Sequence, residues 1–183
     1  MAYENNIPTL RGATVDAARE ISERRATTIS RMVDEAAKRG LDDQFAYDAI
    51  ADYGADNAKE FRKTMHDPTS FKEFTDLFGT DHNRQIYEME TVKKTDDELI
   101  IDFHYCPYVT AWVRQGKTPD QIARLCEIAM AGDHEFAKSF PQLEFRLERT
   151  IADGEPRCRL HFIRKGAAVD GVSDGGASVG AEA

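Results

Sequence analysis

Phe103-His-Tyr-Cys-Pro-Tyr-Val-Thr-Ala-Trp112 is the stretch where the hydrophobic pattern of the chain changes from that of a strand to that of a helix. Just before it, Leu99, Ile101 and Phe103 alternate with other residues, which is typical of a strand. Pro107 suits the first helical position, because its missing N–H would have no intrahelical partner there and its φ is already helical. The sequence therefore predicts a strand that passes directly into a helix at Cys106-Pro107.

Cys106 takes the N-cap position of that predicted helix. A side chain there meets unpaired backbone N–H groups and the positive end of the helix dipole, and both favour the thiolate over the thiol. We therefore consider Cys106 a candidate nucleophile with a lowered pKa. The alternative is a small buried apolar residue, because free cysteines are among the most buried residue types.

The composition argues against several classes of protein. Lysine and arginine number 24 against 33 acidic residues, a net charge of −9, which disfavours binding to nucleic acid or to an anionic membrane surface. No apolar run approaches the roughly 18–20 residues of a membrane span, and no secretory leader is expected. Three cysteines without a CxxC pair predict free thiols in a reduced, cytoplasmic protein.

The 183 residues fit a single α+β domain over residues 1–165, followed by a disordered tail over 166–183 that has too few apolar residues to fold. Residues 13–80 predict helices, over 14–39, 42–53, 55–65 and 71–78, with Gly54 as an interruption. Residues 85–165 predict two hairpins, with strands over 85–94, 98–105, 143–151 and 157–164. Helices starting at 107 and 119 lie between the hairpins. The expected fold is N-terminal helices plus a four-stranded antiparallel sheet with those helices on one face. The N-terminal helices are also candidates for a homo-oligomer contact.

Residue parity sorts the strands into a core face and a polar face. In the last strand Cys158 belongs to the core face, where packing is its simplest role, while Arg159 and His161 face away. His104 and Arg146 also fall on the polar side of their strands.

Asp133 lies on the apolar stripe of the longer helix, which a capping box at Thr118-Pro-Asp-Gln121 begins. A carboxylate there is costly unless a donor or cation satisfies it. Asp133 either reaches a pocket near Cys106 or caps a helix break at Gly132. His134 turns to the flank of the helix.

Taken together, Cys106-Pro-Tyr108, Cys126 with Asp133 after it, Gly154 and Cys158-Arg-Leu-His-Phe162 resemble the L-2-amino-thiazoline-4-carboxylic acid hydrolase family. The resemblance covers roughly residues 85–164, and it implies hydrolytic opening of a five-membered cyclic amidine. Asp133 follows Cys126 by more positions than in the family pattern. His134 and Glu127 are therefore alternatives for its role.

The reaction needs a nucleophile, a proton donor and groups that hold the substrate. Cys106 would attack the electrophilic carbon, His104 or His134 would transfer protons, and Asp133 would hold the amidinium. Arg146 or Arg159 would bind a substrate carboxylate, although a solvated surface arginine is the alternative for each. The remaining predicted substrate-binding residues are Tyr108, Trp112, Cys158 and His161.

Two other classes of function remain open at this stage. One is a metal-dependent hydrolase with a site built from His104, Cys106, His134, His161 and Asp133, although their spacings match no standard zinc pattern. The other is a small-molecule-binding module without catalysis. For the cysteine hydrolase we expect a small-molecule substrate, no cofactor, and neither a nucleic-acid nor a membrane partner.

Overall fold

The computed structural model describes residues 3–79 and 81–168. It confirms the α+β class. The helices are α1 Ala13–Lys38, α2 Gln44–Arg62, α3 Phe71–Leu77, α4 Asp81–Tyr87, α5 Pro107–Arg114 and α6 Pro119–Lys138. The strands are β1 Met89–Lys94, β2 Glu98–Phe103, β3 Leu143–Arg149 and β4 Cys158–Arg164. Most of the predicted tail, from residue 169 onward, lies outside the described residues. No helix among the described residues is long and apolar enough to cross a membrane.

The two hairpins join into one antiparallel sheet in the order β1-β2-β4-β3. The central pair is β2 with β4, where Phe103 lies opposite Cys158 and Leu99 lies opposite Phe162. Leu99 and Phe162 are buried in a single hydrophobic core, together with Trp112 of α5 and Ile122 of α6. The register therefore brings the end of β2, and with it the start of α5, beside the beginning of β4.

The opposite face of the sheet holds a buried ion-pair network. Asp102 is fully buried and accepts hydrogen bonds from Arg159 at 2.7 and 2.8 Å and from Arg157 at 3.0 Å. Burial raises the pKa of Asp102, but the hydrogen bonds and charges of Arg159 and Arg157 outweigh burial and hold that pKa below its usual range. These side chains therefore satisfy one another's buried charges, and removing one partner would leave an uncompensated charge in the sheet.

His161 belongs to the same polar face and lies between two carboxylates. Its Nε2 is 3.1 Å from Glu98 and its Nδ1 is 2.8 Å from Glu148. The side chain is 3 % exposed and has no surface left for a ligand.

Two elements of the N-terminal half differ from the prediction. Gly54 does not interrupt a helix, because α2 runs continuously from Gln44 to Arg62. The strand predicted from Gln85 begins only at Met89, and α4 occupies the residues before it. The buried Arg19 guanidinium donates to the carbonyl oxygens of Gln85 and Ile86, which satisfies the end of α4.

Gly54 is needed where α2 crosses α6. A Cβ on Gly54 would lie 2.1 Å from the carbonyl oxygen of Gly132, so the two backbones are in direct contact. Gly132 directly precedes Asp133 in α6. The crossing therefore fixes the part of α6 that carries Asp133 against α2.

We expect Gly54→Ala to destabilise the protein by about 3 kcal/mol, because the added methyl group overlaps a backbone that cannot move away without separating the helices. Gly132→Ala is the matched control. Its Cβ would lie 3.1 Å from the carbonyl oxygen of Ile50, so a smaller shift relieves the contact. Urea unfolding of both variants measures the difference. Equal stability of the two variants would contradict this packing.

Candidate active site

A cavity of about 550 Å³ lies between the sheet, α2, α5 and α6. Five of the predicted site residues line it: Cys106, Tyr108, Trp112, Asp133 and Cys158. They come from three elements, α5 with its N-cap residue, α6 and β4, which the β2–β4 pairing and the α2–α6 crossing bring together. Tyr53 of α2 also lines the cavity and is 48 % exposed.

Cys106 has the predicted position, since it is the N-cap residue of α5 with Pro107 at the first helical position. The prediction of a lowered thiol pKa is wrong. Burial raises the pKa of Cys106, and the backbone N–H groups of Val109 and Tyr108 offset only part of that rise. Removing the thiol from bulk water thus has more effect than the helix N-terminus. The resting thiol is protonated and needs a base before it can attack a substrate.

The N-terminal arm holds the backbone of Cys106. The N–H of Cys106 donates to Oδ1 of Asn6 at 2.8 Å, and Nδ2 of Asn6 donates to the carbonyl oxygen of Cys106 at 3.0 Å. The same amide nitrogen donates to Oγ1 of Thr110 at 3.0 Å. A single side chain, 100 residues away in sequence, therefore satisfies both backbone groups of the candidate nucleophile.

Replacing Asn6 by alanine should lower the turnover number about tenfold, because Cys106 loses two hydrogen bonds worth roughly 1 kcal/mol each and its sulfur is held less accurately. The Michaelis constant should change little, since Asn6 does not line the cavity. Thr9→Val is the control. It loosens the same arm by removing the hydroxyl bond to Glu88, without touching Cys106. A loss of turnover of the same size in both variants would show that the arm acts only through stability.

Asp133 lies in the middle of an unbroken helix, because α6 runs from Pro119 to Lys138. It therefore caps no helix break, and that alternative is wrong. Its side chain is exposed to the cavity, yet protein atoms surround the cavity on most sides. Burial consequently raises the pKa of Asp133 to about 6, although the positive charge of Arg25 lowers it. A carboxyl group with this pKa can both accept and release a proton near neutral pH.

The other polar groups of the lining are neutral donors and one cation. Burial raises the pKa of Tyr108 to about 12 and also raises that of Tyr87, so both phenols remain protonated. Arg25 of α1 is an exposed residue of the cavity lining, and its Cζ is 4.6 Å from the centre of the Tyr53 ring. The lining therefore offers the thiols of Cys106 and Cys158, an acid of intermediate pKa, hydroxyl donors and a positive charge.

The remaining predicted site residues lie outside this lining. His104 is paired with Glu90 at 2.8 Å, and Arg146 is paired with Glu144 at 2.7 Å. His134 packs its ring against Phe145, with the two ring centres 5.1 Å apart, on another side of α6. Proton transfer by His104 or His134 and carboxylate binding by Arg146 are therefore not supported by the geometry.

Arg159 and His161 belong to the network on the opposite face of the sheet, as their strand parity predicted. Their positions also separate the residues of the proposed metal site, because His161 and Cys106 are on different faces. Among residues 3–79 and 81–168, no three histidine, cysteine, aspartate or glutamate side chains are arranged to hold a metal ion. The metal-site hypothesis therefore has no geometric support in this part of the chain.

Arg25 and Asn6 were not found by sequence reasoning. Arg25 is one of many charged residues on an amphipathic helix, and Asn6 lies in an arm with no periodic pattern. Each acquires its position through contacts with residues far along the chain. No local signal marks either residue.

The sequence model of the L-2-amino-thiazoline-4-carboxylic acid hydrolase family matches residues 19–162. This range contains β1 to β3, most of β4, the helices α2 to α6 and every lining residue of the cavity. Asn6 lies before it. No curated protein and no solved structure matches the chain.

Proposed function

Because the chain belongs to the L-2-amino-thiazoline-4-carboxylic acid hydrolase family, we propose that it hydrolyses a cyclic amidine of that kind with Cys106 as the nucleophile. One observation carries the proposal: the Cys106 thiol and the Asp133 carboxyl group line the same cavity, and the carboxyl group has a pKa of about 6. The thiol needs a base, and Asp133 supplies one within the cavity.

In the first step the Asp133 carboxylate takes the thiol proton, and the Cys106 sulfur attacks the amidine carbon. The new carbon–sulfur bond moves the electron pair of the C=N bond onto nitrogen. Collapse of this intermediate breaks the bond from the amidine carbon to a ring heteroatom. That heteroatom receives the proton held by Asp133, and the ring is open.

In the second step water attacks the carbon bound to Cys106. Asp133, again ionised, takes a proton from the water, and the sulfur leaves and is reprotonated. One water molecule is consumed, and the enzyme returns to its resting state. Asp133 thus performs the proton transfers that were first assigned to His104 or His134, and it also attracts a cationic amidine into the cavity.

Arg25 is the residue that we propose for binding the substrate carboxylate. Arg25 is an exposed residue of the cavity lining, and a planar guanidinium matches a carboxylate with two parallel hydrogen bonds. Arg25 takes the role that the sequence suggested for Arg146 or Arg159. An amidinium near Asp133 and a carboxylate near Arg25 would fix the orientation of a substrate that carries both charges.

The three cysteines are free in the structure, which is consistent with the reduced cytoplasm that we propose as the location. The proposed function is tested by incubating the purified protein with 2-amino-thiazoline-4-carboxylate, hydantoins and lactams, and by following ring opening with mass spectrometry. We expect saturable opening of the cyclic amidine. Binding of the amidine without any opening would instead support a non-catalytic binding module.

A further inference from the structure

One wall of the cavity is built from aromatic rings that take no part in the proposed reaction. Phe61, Phe78 and Phe136 line this wall, and each of them is only partly buried. The ring centre of Phe136 lies 5.5 Å from that of Phe61 and 6.2 Å from that of Phe78. The three rings, called the aromatic wall below, therefore form one continuous apolar surface.

The aromatic wall is backed by a second layer of rings. Phe61 contacts Phe74 and Phe140 with ring centres 5.5 and 5.8 Å apart, and Phe78 contacts Phe162 at 4.6 Å. The three rings behind the wall are at most 2 % exposed. A close-packed second layer holds the wall in place, so its apolar surface stays open to the cavity.

The wall begins next to the reactive groups. Phe136 follows Asp133 by three positions on α6, and side chains with this spacing are neighbours on a helix surface, roughly 5–6 Å apart at Cβ. A substrate whose reacting ring is bound at Asp133 would thus place one of its ring substituents against Phe136. From there the apolar surface continues to Phe61 and Phe78.

The cavity is also too large for the ring alone. A molecule such as 2-amino-thiazoline-4-carboxylate has about nine non-hydrogen atoms, whereas cavities of several hundred Å³ hold drug-sized ligands. The 550 Å³ of this cavity therefore leaves room beyond the reacting ring. Because the aromatic wall is apolar, the remaining space is suited to an apolar group.

We propose that the substrate carries a bulky apolar substituent, an aryl or branched alkyl group, on the ring that is opened, and that the aromatic wall binds this substituent. The inference rests on the proposed function and narrows its substrate class. Burying a substituent of this size against aromatic side chains should make the protein bind the substituted ring about 10- to 100-fold more tightly than the unsubstituted ring.

The test compares 2-amino-thiazoline-4-carboxylate with its 5-benzyl derivative. In the wild-type protein kcat/KM should be about 10- to 100-fold higher for the benzyl compound. Binding of both compounds to Cys106→Ser, measured by calorimetry, should show the same preference without turnover. Phe136→Leu should reduce the preference several-fold. Phe145→Leu should retain it, because Phe145 is a half-buried phenylalanine outside the cavity lining.

Equal or weaker binding of the benzyl compound to Cys106→Ser would overturn the inference, whatever the wild-type protein does with either ring. If the wild-type protein opens neither compound, the proposed function fails. The calorimetric comparison then still decides whether the aromatic wall binds an apolar substituent. Circular dichroism of both leucine variants establishes that they are folded, and Phe78→Leu serves as a second wall variant.

Discussion

Cys106→Ser should lower the turnover number for a cyclic amidine by roughly a thousandfold or more, with little change in stability. Serine keeps the size and the N-cap position, but its hydroxyl is far harder to deprotonate than a thiol, so the covalent step is lost. The measurement is the steady-state rate of ring opening, with thermal unfolding as the check on folding.

Cys126→Ala is the matched control for that variant. Cys126 is a half-buried cysteine of α6 whose thiol pKa is also raised by burial, but it is not among the cavity-lining residues. Its replacement should leave turnover close to that of the wild-type protein. If Cys106→Ser retains most of its activity, or if Cys126→Ala loses as much, Cys106 is not the nucleophile.

Asp133→Asn should lower turnover by roughly 10²- to 10⁴-fold and at the same time stabilise the protein at neutral pH. Activity falls because asparagine keeps the shape but neither accepts the thiol proton nor carries charge toward an amidinium. In the wild-type protein the activity should rise with pH through about 6, as Asp133 ionises.

The stability change has the opposite sign, because the folded protein disfavours the ionised Asp133. Its pKa is about 6 in the folded state against an ordinary value of 3.8, so ionisation costs stability as pH rises through that window. The exposure of the side chain lets solvent screen the charge, and we therefore expect a gain of only about 1 kcal/mol for Asp133→Asn at pH 7. At pH 4 or below most of that gain should vanish. An Asp133→Asn variant with near-normal activity would remove Asp133 from the mechanism.

Sequence patterns over a few neighbouring residues predicted the strand-to-helix junction at Cys106-Pro107 correctly. The change of hydrophobic pattern at Cys106-Pro107 and the capping box at Thr118 both depend only on neighbouring residues. The structure has helices that begin at Pro107 and Pro119, as these patterns predict. The antiparallel hairpins likewise follow from alternation and turn residues. Asp133 was placed on the inner stripe of α6 by periodicity alone.

Properties that depend on distant contacts were not predictable. Gly54 looked like a helix break, because its role in the α2–α6 crossing requires knowledge of what packs against it. The thiol pKa of Cys106 was assigned the wrong direction, because the helix terminus is a local feature and the surrounding cavity is not. Asn6 reaches Cys106 across 100 positions of sequence.

The central claim is that Cys106 forms a covalent bond with the substrate during ring opening. Rapid-quench mass spectrometry of the protein during turnover of 2-amino-thiazoline-4-carboxylate tests this claim most directly. Ring opening keeps the severed heteroatom attached to the rest of the molecule. The account therefore predicts a transient mass increase equal to the whole substrate, located on the peptide that contains Cys106 and absent in Cys106→Ser. Ring opening at the full rate by Cys106→Ser, with Cys106 of the wild-type protein unmodified at every time point, would contradict it.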